Sequence, residues 1–252
     1  MEIVDRTDQN YFQSWRLIGR SGPGAVYEEG GVLAVASGIP VTWFNLLLVT
    51  RPLANPPEQL RKAIEFFDQR GIQFVARIRE GLDIASETAL EKLGLAYSDI
   101  VPGMASTAMD APAPPPELRI ETVSKGRTHN DYLDVISRGF GFPLEMARAI
   151  VGPLALLDPE MESFVGYVGE AAVATSSMVF GGQVAGVYNV ATHPDYRRRG
   201  YGEALTWRAV SRGAELGCDM AALQASDMGR PIYERMGFRL VSPYKTFHRP
   251  RV

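Results

Sequence analysis

The chain has 252 residues, a formal net charge of -3 at pH 7, 46% hydrophobic and 22% charged residues, which leaves room for one large or two modest domains of ordinary globular composition. That acidic balance excludes general affinity for nucleic acid, whose phosphate backbone draws on a net basic surface. No run approaches the roughly 18 uninterrupted apolar residues of a membrane span, and the opening "MEIVDRTDQNYF" lacks the basic flank and apolar run of a secretory signal.

The single cysteine, Cys218, forms no internal disulfide and fits a reducing cytoplasm. It lies in "ELGCDMAAL" with no basic flank, so it reads as a small buried hydrophobe. His129, His193 and His248 are too scattered for ligand spacing on one element, and neither a CxxC nor an HExxH pattern occurs, so no metal is expected. The expectation is a cytoplasmic protein, monomer or homodimer, that engages neither nucleic acid nor membrane.

Along the first half, "SGPGAVYEEGG" is glycine-rich but lacks the lysine and hydroxyl residue of a phosphate-binding loop, so it reads as a turn and a strand. "VLAVAS" and "TWFNLLLVT" follow as β-rich runs, then the helix "PEQLRKAIEFFDQRG", with Leu60, Ile64 and Phe67 at helical spacing. The strand "IQFVARI", the helix "SETALEKLG" and the strand "LAYSDIV" complete this half. "DAPAPPPEL", Asp110 to Leu118, holds four prolines, and such segments run extended as semi-rigid spacers. It divides the chain into 1–110, a linker 111–116, and 117–252.

After the prolines come a strand "ELRIETV", an amphipathic helix "HNDYLDVISRGFG", and three β-rich runs, "SFVGYV", "AAVATSSMVF" and "VAGVYNVAT", parted by glycine turns as in antiparallel hairpins. A helix over "RRRGYGEALTWRAVSRGAELG" puts Ala204, Trp207, Val210 and Ala214 on one stripe. "MAALQA" is a strand, "RPIYERMG" a short helix ended by glycine, and "FRLVSPYKTFH" a closing strand. The two halves share this order. Asn45 in "WFNLLLV" matches Asn189 in "VYNVAT", Gly71 matches Gly217, and "EKLGL" matches "ERMGF", all at offsets of about 145 residues, the mark of a duplicated unit.

The copies differ where chemistry would sit. The first reads "TRPLANPPEQ", with Pro52, Pro56 and Pro57 removing amide donors; the second reads "HPDYRRRGYGE". A strand running through a turn into a helix leaves the first helical N–H groups pointing outward at the positive end of the helix dipole. Gly200 and Gly202 permit close backbone approach, and Arg197, Arg198 and Arg199 add positive charge, so this turn reads as an anion seat of pyrophosphate size.

At these residues the chain resembles the GNAT superfamily of acyl-CoA-dependent N-acyltransferases. Arg197, Gly200 and Gly202 meet its pyrophosphate signature, and Tyr233 before Gly237 and Phe238 meets a second signature downstream. The resemblance covers roughly 117–248. It implies an α/β fold with a mixed, mostly antiparallel sheet flanked by helices, in two related copies, of which the first is degenerate and has no cofactor site.

It implies acetyl-CoA as acyl donor and a small-molecule or peptide amine as acceptor, reacting by direct attack in a ternary complex. The strand before the signature splays from its neighbour in this family, which assigns the pantetheine arm and thioester carbonyl to Val190 and Thr192, with Ala191 between them. Backbone amides of Arg198, Arg199, Gly200, Tyr201, Gly202 and Glu203 take the pyrophosphate. Ser226 stands where many members have asparagine, and its hydroxyl can still donate or accept. Tyr233 is assigned as the acid that protonates the leaving thiolate.

Gly186 stands where some members carry a glutamate base, which leaves the base to an acid from elsewhere or to a water held by Tyr188 or Asn189. "GFGFPLEMARAI" reads as acceptor wall through Phe140 and Phe142. The competing readings are a non-catalytic acyl-CoA-binding or scaffold protein and a nucleic-acid module built on "RRRGYG".

Overall fold

The computed structural model describes residues 2–156 and 160–250. In chain order the elements are α1 (Ile3–Arg20), β1 (Ala25–Glu29), β2 (Val32–Ala36), β3 (Leu46–Val49), α2 (Pro56–Asp68), β4 (Val75–Arg79), α3 (Ile84–Lys92) and β5 (Ala96–Ser106). There follow β6 (Leu118–Thr122), α4 (Arg127–Phe140), α5 (Leu144–Leu154), β7 (Met161–Val168), β8 (Ala171–Gly181) and β9 (Val184–Thr192). Last come α6 (Tyr201–Glu215), β10 (Met220–Gln224), α7 (Arg230–Arg235) and β11 (Arg239–His248). No helix among the described residues is long and apolar enough to cross a membrane.

Two compact units divide the chain. The larger holds Met1–Tyr11 and Met104–Arg239, the smaller Phe12–Gly103 and Leu240–Val252. The division therefore falls at Gly103 and not at the prolines. The proline segment lies within the larger unit, where Ala111 to Pro115 and Trp207 of α6 line a cavity of about 360 Å³. Each unit also takes a terminal segment of the chain, which no composition shift announces.

In the smaller unit β1, β2 and β3 pair antiparallel in sequence, β3 runs parallel to β4, and β11 pairs antiparallel with β4. The β3–β4 ladder joins every residue of β3, from Leu46 opposite Val75 to Val49 opposite Ile78. Helix α2 buries Leu60, Ala63, Ile64 and Phe67 against Leu47, Val49, Ala76 and Ile78, the helical spacing meeting the strand alternation.

In the larger unit β6, β7, β8 and β9 pair antiparallel in turn, and β9 runs parallel to β10. Helix α6 packs Leu205, Ala209 and Val210 onto Phe164, Val173, Val187 and Leu223. Each unit thus holds the expected mixed, mostly antiparallel sheet with flanking helices. The matched glycines share a conformation: Gly71 and Gly217, ahead of β4 and β10, have φ of 64° and 87°, and Gly94 and Gly237, behind α3 and α7, have 85° and 91°. All four lie in the left-handed region that a side chain disfavours, which explains why these positions keep glycine.

Helix α1 has no counterpart in the sequence expectations. Its acids and amides in "MEIVDRTDQNYF" gave no strand or core signal, yet it buries Asn10 and Tyr11 to 1% and 3% exposure.

Candidate active site

The parallel ladder between β9 and β10 is short. Met220, Ala221 and Ala222 pair with Val184, Ala185 and Gly186, and from Val187 onward β9 has no partner on that side among the described residues. A bulge coincides with this departure. Thr175 faces Ala191 while Ser177 faces Tyr188, so Asn189 and Val190 together oppose Ser176, and a bulge of this kind bends and twists its strand.

Asn189 takes the extra turn at φ 52°, a conformation asparagine tolerates better than most residues. Its carbonyl accepts from Thr175 Oγ1 at 2.9 Å, and its Nδ2 donates to Ser177 Oγ at 3.4 Å. Ser177 also meets Tyr132 Oη at 2.8 Å and Ser163 Oγ at 2.9 Å. Tyr132, Ser163 and Ser177 are all buried, and burial pushes the Tyr132 phenol up to about 12 despite these hydroxyl partners. The bulge is therefore locked from behind by satisfied polar groups.

Beyond the bulge, Val190, Ala191 and Thr192 open onto a cavity of about 700 Å³ in the larger unit. The turn into α6 forms its opposite wall. Arg198 and Gly200 both have positive φ, 62° and 80°, which curls the backbone so that the amides at the start of α6 lack helical acceptors. The first helical bond runs from Ala204 N–H to Gly200 O at 2.9 Å. A Cβ on Gly202 would come within 2.8 Å of Thr192 Oγ1, so this glycine lets α6 approach β9 as well as clearing space for a ligand.

The arginines divide the work. Arg197 is a brace: its Nη2 donates to Gly139 O at 2.8 Å and its Nε to Thr192 O at 3.4 Å, joining α4 to β9 at the cavity rim. Arg198 lines the cavity. Arg199 does not, its Nη2 donating to Asp195 O at 3.2 Å and its guanidinium lying 5.3 Å from the centre of the Tyr196 ring. The other residues expected to hold the cofactor, including Tyr201, Gly202, Glu203 and Ser226, line this one cavity, as does Tyr233, while Phe142, Tyr188 and Asn189 do not. Tyr201 also sends its phenol to Glu117 Oε1 at 2.9 Å.

Ser226 Oγ accepts from Gly229 N–H at 3.2 Å, which holds the turn ahead of α7. That short helix presents Tyr233, whose ring meets Phe238 edge-on at 6.0 Å. Burial pushes the Tyr233 phenol up to about 12, with a hydrogen bond to the Thr206 hydroxyl offsetting part of the rise. It is a proton donor at every physiological pH. Of the expected acceptor wall, Phe140 lines the cavity and stacks on Phe142 at 5.9 Å.

Gly186 has a reason to lack a side chain. A Cβ there would fall 1.8 Å from Asn10 Oδ1, so α1 occupies the space a glutamate would need. Asn10 is fixed by donating to Val179 O at 3.1 Å and Val184 O at 3.3 Å, and it accepts from Tyr188 Oη at 2.9 Å. Asn10 lies almost the whole chain away from the motifs, and only the bare Gly186 hinted that something else fills the place.

Residues 130–238 match the acetyltransferase (GNAT) family model. That segment is similar to GNAT acetyltransferases. Serotonin N-acetyltransferase of Macaca mulatta is 36% identical over 64 residues, which spans 25% of this chain and only 31% of that relative's length. The GNAT fold extends further than the family match. A GCN5-related N-acetyltransferase from Kribbella flavida superposes with a TM-score of 0.76 at 18% identity, covering 97% of this chain and 96% of that one. A tandem GNAT protein from the clavulanic acid biosynthesis pathway gives 0.61 at 12% identity, covering 99% and 98%. At such identities the likeness is one of fold, and it reaches both units.

Proposed function

We propose that the protein is an acyl-CoA-dependent N-acyltransferase that moves the acetyl group of acetyl-CoA onto a primary amine by direct attack in a ternary complex, at one site per chain. The observation that carries this reading is the early end of the β9–β10 ladder at Gly186 and Ala222, beside a cavity lined by both the α6 turn and Tyr233. A serotonin N-acetyltransferase among the relatives supports nitrogen as the accepting atom.

In this reading the α6 amides from Arg198 to Glu203 and the Arg198 guanidinium hold the pyrophosphate, where the helix dipole and exposed N–H groups favour an anion. Arg197 and Arg199 serve the turn by bracing it. The backbone N–H groups of Val190 and Thr192 hold the pantetheine and thioester, the Thr192 carbonyl being engaged by Arg197. An N–H fixed on a strand stabilises the oxyanion without reorganising as charge develops.

The amine nitrogen attacks the thioester carbonyl, the C–S bond breaks, the thiolate takes the Tyr233 proton, and water returns a proton to the phenolate. The proton lost by the amine passes to water, since Asn10 fills the place of a strand carboxylate and carries no charge of its own. The smaller unit is a degenerate copy that keeps the packing. Its parallel ladder stays closed along β3, and its α2 start is occupied by its own side chains, with Gln59 Oε1 accepting from Asn55 N–H at 2.7 Å.

Thiol release from acetyl-CoA, assayed against a panel of amines, amino acids and peptides, tests the reading. Acceptor-dependent thiol release with a matching N-acetyl product is expected. Tight acetyl-CoA binding with no transfer to any amine would instead favour a non-catalytic acyl-CoA-binding protein.

A further inference from the structure

The larger unit contains one polar side chain at the open end of the ladder that the reading above leaves without a task. Both amide atoms of Gln224, Oε1 and Nε2, are buried with no hydrogen-bond partner among the described residues. Buried polar groups in native proteins are almost always satisfied, and one that is not points to a ligand or water that belongs there. Gln224 is the last residue of β10.

Strand alternation fixes its side. Ala221 and Leu223 pack in the core with α6, so Ala222 and Gln224 face away from α6. Ala222 pairs with Gly186, and two residues further along each strand lie Gln224 and Tyr188, beyond the last pair of the ladder. Gln224 and Tyr188 therefore lie on the same face of the sheet just past the last paired residues of the ladder, behind the residues that line the cavity. Asn10 holds the Tyr188 hydroxyl from behind, so that ring is already fixed.

Tyr233 packs against the α6 side of the sheet. If the thiolate receives its proton there, the nucleophile enters from the opposite side, where Gln224 stands. We propose that Gln224 binds the acceptor amine, with Oε1 accepting an N–H from the attacking nitrogen and Nε2 donating to an oxygen of the acceptor or to a bridging water. This rests on the acyltransfer reading and names the residue that orients its nucleophile. A neutral amide suits the task, because it accepts from the amine before and after deprotonation, whereas a carboxylate would favour the ammonium form.

The test uses the full chain and two acceptor probes, phenethylamine and spermidine. The Gln224 side-chain amide signal, identified in a ¹⁵N spectrum by its loss in Gln224→Leu, is followed while each amine is titrated into the coenzyme A complex. A saturable shift with at least one amine is expected, and a signal unmoved by both overturns the proposal. In steady-state assays Gln224→Leu and Gln224→Met should raise the acceptor KM about tenfold or more, the effect of a lost binding contact. Acetyl-CoA affinity should stay within about twofold, and the melting temperature should hold or rise because an unsatisfied polar group has gone. An unchanged acceptor KM, or a loss of acetyl-CoA affinity in step with it, contradicts the assignment. Failure of the acyltransfer reading is seen separately, as absent thiol release by the unsubstituted protein.

Discussion

Tyr233 owes its raised pKa to the same burial that places it on the cavity wall, so its fitness as an acid follows from packing. Tyr233→Phe keeps the ring and its contact with Phe238, and removes only the proton. Turnover should fall about 100-fold to 10,000-fold, or roughly 3 to 5 kcal/mol of barrier, with acetyl-CoA affinity nearly unchanged. Steady-state kinetics beside a cofactor titration decides this, and a variant within about threefold of the parent, well below that range, would remove Tyr233 as the acid. The pH profile gives a second check. A phenol titrating at about 12 supplies its proton throughout the alkaline range below that, so kcat should rise with amine deprotonation and show no fall up to about pH 10. For stability the sign is the same: Tyr132 and Tyr233 are both held near 12 in the fold and near 10 when unfolded, so their contribution is intact below pH 10 and lost as pH rises toward 12. Melting temperatures measured across that window should decline.

Among the elements, β9 carries most of the chemistry and was only half legible. Gly200, Gly202 and Tyr233 stand out in sequence because a turn, a close approach and a short helix each demand a particular residue. The bulge does not. Asn189 reads as one more residue of a β-rich run, and its φ of 52° depends on Thr175 and Ser177 of another strand. The register break at Gly186 and the orphaned Gln224 amide are likewise relations between strands, invisible to a one-dimensional pattern. Asn189→Val tests the element, since a β-branched residue is a poor fit to positive φ. The strain amounts to about 1–3 kcal/mol, so the variant should melt earlier or straighten β9, and in the second case acetyl-CoA binding should weaken at least tenfold. Unchanged melting and unchanged binding together would show that the bulge does not shape the site.

At the scale of the whole molecule the repeat was legible because glycine at positive φ cannot drift, and Gly71, Gly94, Gly217 and Gly237 keep it in register. The assignment of chain segments to units was not, since a strand pattern does not say which sheet receives it. Residues 117–252 alone carry β11 without β4, its partner in the smaller unit, and lack Asn10, which pins β9. That fragment should expose apolar surface and aggregate; a monodisperse fragment with the full-length rate would show that the rest of the chain serves neither fold nor site. The most direct measurement is a calorimetric titration of acetyl-CoA into the full chain and into Gly202→Glu, which puts a side chain and a negative charge between α6 and Thr192. One site per chain, abolished by the substitution, is the result expected of a single anion seat at the α6 turn. Two equivalent sites, or undiminished binding to Gly202→Glu, would contradict it.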